Sequence, residues 1–416
     1  EHIECFDHEF FGFSLKEAML LDPQQRVLLE CAWEAMEDAA LHGRTAATGV
    51  FCGAGPSSYF INNVYGLQAH DSACALYQSS EALARFMATD KEFLASRIAY
   101  KLDCRGPAVN VQAACATSLF GVQAAVQALL LGECESAVVG ASAISVPQTI
   151  PYFFEPGMPF SSDGHCRPFD AQASGTIFGS GAAVIVLKRL SDALAQGDEI
   201  HALIRGIATN NDGAHRAGMS APSVAGQTQV VSEALSLAES SPERIHYIEA
   251  HGTATPIGDP IEIKALANVF AERSRQSLCY LGSVKGNIGH LGWAAGMAGL
   301  IKGIMIAKYR KIPATLHLQT YNPELHIEDT PFEVNRNTID LDVDRVQIGV
   351  SSFGLGGNNA HLILETAPTH AHAPAVHALP AGLVPLSARS PQALRELIAQ
   401  YREFLHTQPD EIGRAH

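Results

Sequence analysis

Two successive series of short apolar, β-branched runs, each run followed by a loop and a helix-patterned stretch, constrain this chain more than any other feature. The first series comprises 49–52, 108–111, 136–140 and 182–187, with helices expected over 23–40, 91–99 and 119–131. The second comprises 201–208, 245–250, 280–284, 347–351 and 361–365, again with helices between. Strands alternating with helices imply an α/β fold whose sheets are covered by helices. No residue-level repeat relates the two series. With 47% hydrophobic and 17% charged residues among 416, the chain has the apolar surface such a core requires.

A thiol stands at one of the strand-to-helix junctions. Cys115 lies in Val-Gln-Ala-Ala-Cys-Ala-Thr-Ser-Leu-Phe (111–120), where an apolar run gives way to helical spacing. The unpaired N–H groups of a first helical turn stabilise a thiolate and can hold an oxyanion. A strand, a sharp turn and a nucleophile opening a helix form an elbow. A lone cysteine is more often a small buried hydrophobe. Two downstream segments raise Cys115 above that reading: Glu-Ala-His-Gly-Thr-Ala-Thr-Pro-Ile-Gly-Asp-Pro-Ile-Glu (249–262) and Val-Lys-Gly-Asn-Ile-Gly-His (284–290). Each follows an apolar run and precedes a helical pattern, and sheet enzymes place chemistry where strands end.

Other patterns point to narrower conclusions. Gly354-Leu-Gly-Gly is followed by a strand-like alternation rather than a helix, so it is not a dinucleotide loop; its use is close backbone approach. Gly175, Gly179 and Gly181 read as tight packing at a strand start. The nine cysteines show no ligand spacing and read as reduced thiols, and no metal site is expected. A net charge of −15 argues against nucleic acid and favours no membrane surface; no apolar run suggests a bilayer span, and a cytoplasmic location is expected.

The motifs together resemble a β-ketoacyl synthase, specifically the ketosynthase domain of a modular type I polyketide synthase or polyketide–peptide hybrid. The resemblance rests on Asp22-Pro-Gln-Gln-Arg26, Cys115, Asp163-Gly-His-Cys-Arg-Pro-Phe-Asp170, His251-Gly-Thr-Ala-Thr, Lys285-Gly-Asn-Ile-Gly-His290 and Ser352-Phe-Gly-Leu-Gly-Gly, in order, up to about Glu365. It implies the five-layered αβαβα thiolase-like fold of two similar halves. A further N-terminal strand would precede Glu1, leaving the front edge of the first half truncated. It also implies an acyltransferase that joins a Cys115-bound acyl chain to a malonyl-type extender by decarboxylative Claisen condensation. Cys115 would be the nucleophile, His251 and His290 enolate donors or acid–base groups, and Lys285 their electrostatic support. Phe353 would supply an oxyanion N–H and gate the acyl pocket. Asp259 and Glu262 would position His251, with a helix cap as the plain alternative for Glu262. Thr253 and Thr255 would line the channel of the phosphopantetheine arm or satisfy loop backbone. The domain itself would bind no cofactor, its substrates arriving on the 4'-phosphopantetheine of carrier proteins.

Implied partners are an acyl carrier protein, neighbouring acyltransferase or other synthase domains, and a second copy in a homodimer. An acidic carrier needs a basic patch, and Lys308-Tyr-Arg310-Lys311 is the densest, although a helix end explains it equally. His165, His215 and His361 read as structural. The chain departs from the family's usual pattern at Gln112-Ala-Ala, Ala116-Thr117-Ser118 and Asn358, without loss of a catalytic group. We divide it into an N-terminal half (1–195), a C-terminal half (196–366), a linker (367–382), the start of a post-ketosynthase region (383–410) and a terminal 411–416 resembling a sequencing-adapter artefact. Two other functions fit the residues: a non-elongating acyl-transfer or gating module, and a Cys–His hydrolase with water as acceptor.

Overall fold

The computed structural model describes residues 2–41, 43, 45–65, 79–274, 277–368 and 385–407. The proposed artefact and most of the proposed linker lie outside these residues. The chain forms two compact units, one of Glu1–Phe6 with Lys16–Ala367, the other of Asp7–Leu15 with Pro368–His416. In the smaller unit, helix α11 (Pro391–Thr407) starts where Ser390 Oγ accepts the Ala393 N–H at 3.1 Å. The Arg389 guanidinium sits 4.3 Å over the Phe10 ring.

The larger unit holds all but the first residue of helix α1 (Leu15–Leu20), and helices α2 (Pro23–Asp38), α3 (Ser80–Thr89), α4 (Leu94–Leu102), α5 (Thr117–Leu131), α6 (Leu190–Gln196), α7 (Val224–Leu237), α8 (Gly258–Val269), α9 (Lys285–Ile288) and α10 (Ala295–Tyr309). One sheet has strand order β2 (Ala108–Asn110), β1 (Thr48–Ala54), β3 (Ser136–Ala143), β4 (Gly181–Lys188). A second has the order β5 (Ala202–Asn211), β12 (Asn358–Thr366), β11 (Gln347–Phe353), β6 (Ile245–Glu249), β7 (Cys279–Gly282), β9 (Phe332–Val334). A short ribbon pairs β8 (Lys311–Ile312) with β10 (Ile339–Asp340). All the strand runs expected from sequence are present, within a few residues at each end.

The layers follow from which helix faces are apolar. Helices α5 and α10 share one core with β1, β3, β11 and β12 through Leu119, Val122, Val139, Met297, Leu300, Val350 and Leu362. They form the middle layer. Helices α7 and α8 cover the other face of the second sheet through Val230, Val231, Ile263 and Leu266, and α2 and α4 lie against the first sheet. The result is the five-layered αβαβα arrangement. Each fully buried Leu or Val here contributes about 1.5–3 kcal/mol.

The Asp22–Arg26 motif is structural. Asp22 caps α2 by accepting the Gln24 N–H at 2.7 Å, and Arg26 Nε donates to Leu21 O at 2.7 Å. Gln24 Oε1 accepts the N–H groups of Gly55 and Ile144, tying the ends of β1 and β3. Segment 114–131 corrects one sequence reading, because by length and composition it is apolar enough to cross a membrane. Half of it is buried within the protein, as befits a helix enclosed between two sheets.

Candidate active site

Cys115 sits in a 3₁₀ turn, Ala114–Ala116, that runs into α5, with Ala114 at φ +50°. This is the expected elbow, and local chemistry holds it. Thr117 Oγ1 accepts the Ala113 N–H at 2.8 Å, and Ser352 Oγ donates to Cys115 O at 2.8 Å. Thr117, one of the departures noted above, therefore secures the turn. Gly354 is needed for close approach: a Cβ there would lie 2.3 Å from Ala113 O. Asn358, another departure, accepts from Asn211 Nδ2 at 2.9 Å through its side chain and from Gly354 N–H at 2.7 Å through its carbonyl.

The thiol differs from the sequence expectation. Burial pushes Cys115 above its ordinary value, and the N–H of Leu355, the Lys285 charge and its own N–H oppose this without reversing it. Burial therefore favours the neutral thiol.

The two histidine loops converge. The rings of His251 and His290 lie 5.5 Å apart, nearly perpendicular. The Gly292 N–H donates to His290 Nδ1 at 3.0 Å and the Phe353 N–H to His251 Nδ1 at 3.3 Å. With both Nδ1 atoms accepting, both rings carry their proton on Nε2. Burial, then the Lys285 charge, holds each well below its ordinary value, and His290 further lowers His251. Both are neutral donors at physiological pH.

That bond also corrects the role given to Phe353. Its N–H is directed at His251, and its ring is only 8% exposed, packed in the core 5.6 Å from the His251 ring. The N–H that faces the Cys115 sulfur belongs to Leu355, two residues on and 65% exposed. Gly354, between them, turns the loop against the elbow.

Carboxylates fix the His251 loop. Glu262 accepts from the N–H groups of His251 at 2.7 Å and Gly252 at 2.8 Å, so it is a loop-positioning group rather than a helix cap. Asp259 accepts from Ala254 N at 3.0 Å and Phe169 N at 2.8 Å, joining the Asp163–Asp170 segment to α8. Burial raises Glu262 to about 7 and Asp259 to about 6. Lys285 Nζ donates to His251 O, and burial lowers its pKa against the raising charges of Glu249 and Glu262. Thr255 Oγ1 accepts the Gly258 N–H at 3.1 Å and lies 3.1 Å from Thr253 Oγ1, so both threonines have local structural partners.

Sequence reasoning passed over Glu249. This residue is 1% exposed at the end of β6. It accepts from Val284 N at 2.6 Å, Tyr247 OH at 2.6 Å and Lys302 Nζ at 2.8 Å, joining the His251 loop to the one bearing Lys285 and His290. The available signal was an acid at a strand position where only an apolar side chain is expected.

Residues outside the site behave more plainly. His361 is buried on Ser351 Oγ at 3.0 Å and is pushed down to about 3 by burial, which is structural as expected. His165 and His215 are exposed. The basic cluster is locally neutralised, since Lys308 pairs with Glu199, Arg310 with Asp344 and Lys311 with Asp340. A helix end is the better reading of it.

Family comparison agrees with this geometry. Residues 1–193 match the model of the β-ketoacyl synthase N-terminal domain, 201–319 that of the C-terminal domain, and 322–413 the ketoacyl-synthetase C-terminal extension. A component of the phenolphthiocerol/phthiocerol polyketide synthase of Mycobacterium tuberculosis is 44% identical over 413 residues, covering 98% of this chain and 28% of that protein. Polyketide synthase PksN of Bacillus subtilis is 39% identical over 87% of this chain and 7% of its own length. The chain thus spans under a third of either relative. Ketosynthase twelve of the bacillaene polyketide synthase of Bacillus amyloliquefaciens superposes with a TM-score of 0.89 at 38% identity, over 98% of this chain and 70% of that one. The module 1 ketosynthase of that synthase gives 0.86 at 39%, over 98% of this chain and 71% of that one. With a thiol-bearing elbow and two neutral imidazoles in a thiolase-like fold, the chain belongs to the β-ketoacyl synthase family, as a polyketide synthase ketosynthase domain, an acyltransferase.

Proposed function

We propose that this ketosynthase performs decarboxylative Claisen condensation in two stages, with Cys115 as the acyl carrier. The observation that carries the reading is the matched pair of imidazoles, each with Nδ1 occupied by a backbone N–H and Nε2–H free to donate. In the first stage the Cys115 sulfur attacks an incoming acyl thioester, its S–H proton leaves, and the departing thiol is released as the acyl-enzyme forms. In the second, a malonyl-type thioester on a carrier's phosphopantetheine arm loses carbon dioxide. The electron pair of the broken C–C bond becomes an enolate, whose oxygen accepts hydrogen bonds from Nε2–H of His251 and His290. The enolate carbon then attacks the Cys115 thioester, and the tetrahedral oxyanion collapses to expel the Cys115 thiolate, which regains a proton.

We assign the oxyanion donors to the N–H groups of Cys115 and Leu355. Each such donor is worth about 3–4 kcal/mol at the transition state. Lys285 holds the His251 loop through its carbonyl and adds its charge to burial in keeping both imidazoles neutral, while Thr253 and Thr255 border the arm's path. The carrier protein, neighbouring synthase domains and a second copy are the proposed partners in a cytoplasmic assembly. For the second copy we favour the β2 edge, where Val109 is 42% exposed and neighbouring Tyr100 80%. We retain the division at 195/196, which falls between the two sheets.

Intact-mass analysis of the natural full-length protein tests the reading. Incubation with acyl thioesters should give an adduct at Cys115 that discharges only when a malonyl-loaded carrier is added. His251→Ala should keep the adduct and abolish carbon–carbon bond formation. Extended product from that variant would refute the assigned role. Discharge of the adduct to water would indicate the hydrolase reading.

A further inference from the structure

Backbone pairing beside His290 is unusually specific for a segment outside any sheet. Phe178 forms a parallel bridge with His290, and Phe160 forms one with Thr176. The His290 N–H donates to Ile177 O at 2.7 Å, and the Gly179 N–H to His290 O at 3.1 Å. The Ser161 N–H donates to Thr176 O at 2.8 Å, and the Thr176 N–H to Pro159 O at 2.7 Å. Residues 159–161, 176–179 and 288–290 thus form a small three-segment ribbon. Gly175 and Gly179 permit it, because a Cβ on either would lie 2.5 Å from a backbone atom of Phe160 or Ile288.

The ribbon aligns aromatic rings. Tyr152 stacks on Phe160 at 5.4 Å and 28°, Phe160 meets Phe178 edge-on at 5.9 Å, and Phe178 stacks on His290 at 5.2 Å and 30°. Tyr152 is anchored in turn by its hydroxyl, which donates to Ser161 O at 2.6 Å. The His290 residue is 3% exposed and Phe178 is 55% exposed. An exposed aromatic ring, held in register by its own backbone, therefore covers one face of a buried imidazole.

We propose that Phe178 is a positioning residue for condensation, fixing the plane of the His290 ring and screening it from water so that Nε2–H meets the enolate oxygen. The proposal rests on the role given to His290 above. Offset stacking adds a modest attraction beyond burial. That is small for folding but enough to bias ring orientation, and misplacement of about 1 Å in a reacting group costs on the order of 100-fold in rate. The titratable or charged groups that act on His290 are Lys285 from α9 and His251 from the β6–α8 loop; the ribbon segment 176–179 brings none. Water admitted at the uncovered face favours the imidazolium, so the ring titrates at higher pH and the acid limb of condensation moves upward.

The test compares Phe178→Leu with Phe178→Tyr in the natural full-length protein. Acyl transfer to Cys115 and condensation with a malonyl-loaded carrier are timed separately across pH. Phe178→Leu should acylate within about two-fold of wild type, condense about 10-fold or more slowly, and show its acid limb at higher pH. Phe178→Tyr, which keeps the stack, should restore both rate and profile. Titration of the His290 ring by NMR of histidine-labelled protein gives a readout independent of product, and it should move toward the ordinary value only in the leucine variant. Unchanged condensation and titration in Phe178→Leu would overturn the proposal, as would equal slowing of both stages with an unmoved profile. Wild-type protein that acylates but never condenses would instead remove the reading of His290, while the ring titration still decides the part played by Phe178.

Discussion

The two sheets are built on one plan. In each, a central parallel pair (β1 with β3, β6 with β11) is extended by a parallel strand on one side (β2, β7) and an antiparallel one on the other (β4, β12). In each, a 3₁₀ turn leads into a 15-residue helix of the middle layer, Ala114–Ala116 into α5 and Gly292–Ala294 into α10. The two turns even share a residue at φ +50°, Ala114 in one and Gly292 in the other. At the next position one carries Cys115, the other Trp293. The Trp293 ring packs over Gly55, where a Cβ would lie 3.0 Å from it. One elbow presents the thiol proposed as nucleophile, and its counterpart fills space. The non-glycine residue in left-handed backbone, a strain of roughly 1–2 kcal/mol, lies on the chemical side.

The sheets differ at their antiparallel edges too. β12 is buried along nearly its whole length because β5 flanks it. β4 has no strand beyond it among the described residues, and all eight of its residues are only half-buried. The same plan therefore gives different burial according to what pairs with the last strand.

Exchanging the elbows' roles should give the largest effect. Cys115→Ala should eliminate the acyl adduct in intact-mass analysis. Trp293→Ala should still form it while losing about 2–3 kcal/mol of unfolding free energy, somewhat less than a fully buried Trp. An adduct on Cys115→Ala would place the nucleophile elsewhere.

A second contrast concerns strand ends. β6 ends on Glu249 where β1 ends on Ala54, because only β6 must tie two functional loops together. Glu249→Gln leaves Lys302 without its buried partner and should cost about 3–5 kcal/mol by denaturant unfolding. A change below about 1 kcal/mol, a surface-pair value, would mean that the network does not hold the loops.

The His251 loop should give the second half a pH dependence. Glu262 and Asp259 have folded values raised above those of the unfolded chain, so the native state holds their protons more tightly. Their stabilisation is complete below about pH 4 and is lost as pH rises through about 6 to 7. Unfolding of Glu262→Gln at pH 5 and pH 8 should show a smaller decline between the two than wild type; an unchanged decline would exclude Glu262 as its source. The smallest effect belongs to the strained residues. Gly292→Ala should cost about 1 kcal/mol and Ala114→Gly should gain at most about that, read from thermal unfolding.

Much of this was legible in the residues. Strand runs ending in loops that carry Cys115, His251 and His290 indicated a covered α/β fold and the chemical constellation, because side-chain periodicity reports burial directly. The reading went astray where a contact joins segments far apart in sequence. Glu249 could not be recognised as a tie to Val284, since its partner is 35 residues away. Phe353 and Leu355 lie in the same glycine loop, and only the turn at Gly354 against Ala113 decides which N–H faces the sulfur and which faces His251. The basic run 308–311 looked available until β10 and neighbouring loops brought Glu199, Asp340 and Asp344 against it.

By itself, then, the sequence determined which residues could do chemistry and which elements would carry them, because propensity and periodicity are local properties of the chain. The tertiary structure decided the burial of the Cys115 thiol, the tautomer of both imidazoles, which N–H faces the sulfur and the aromatic cover on His290. Those depend on desolvation and hydrogen-bond direction, which exist only once distant segments are packed together.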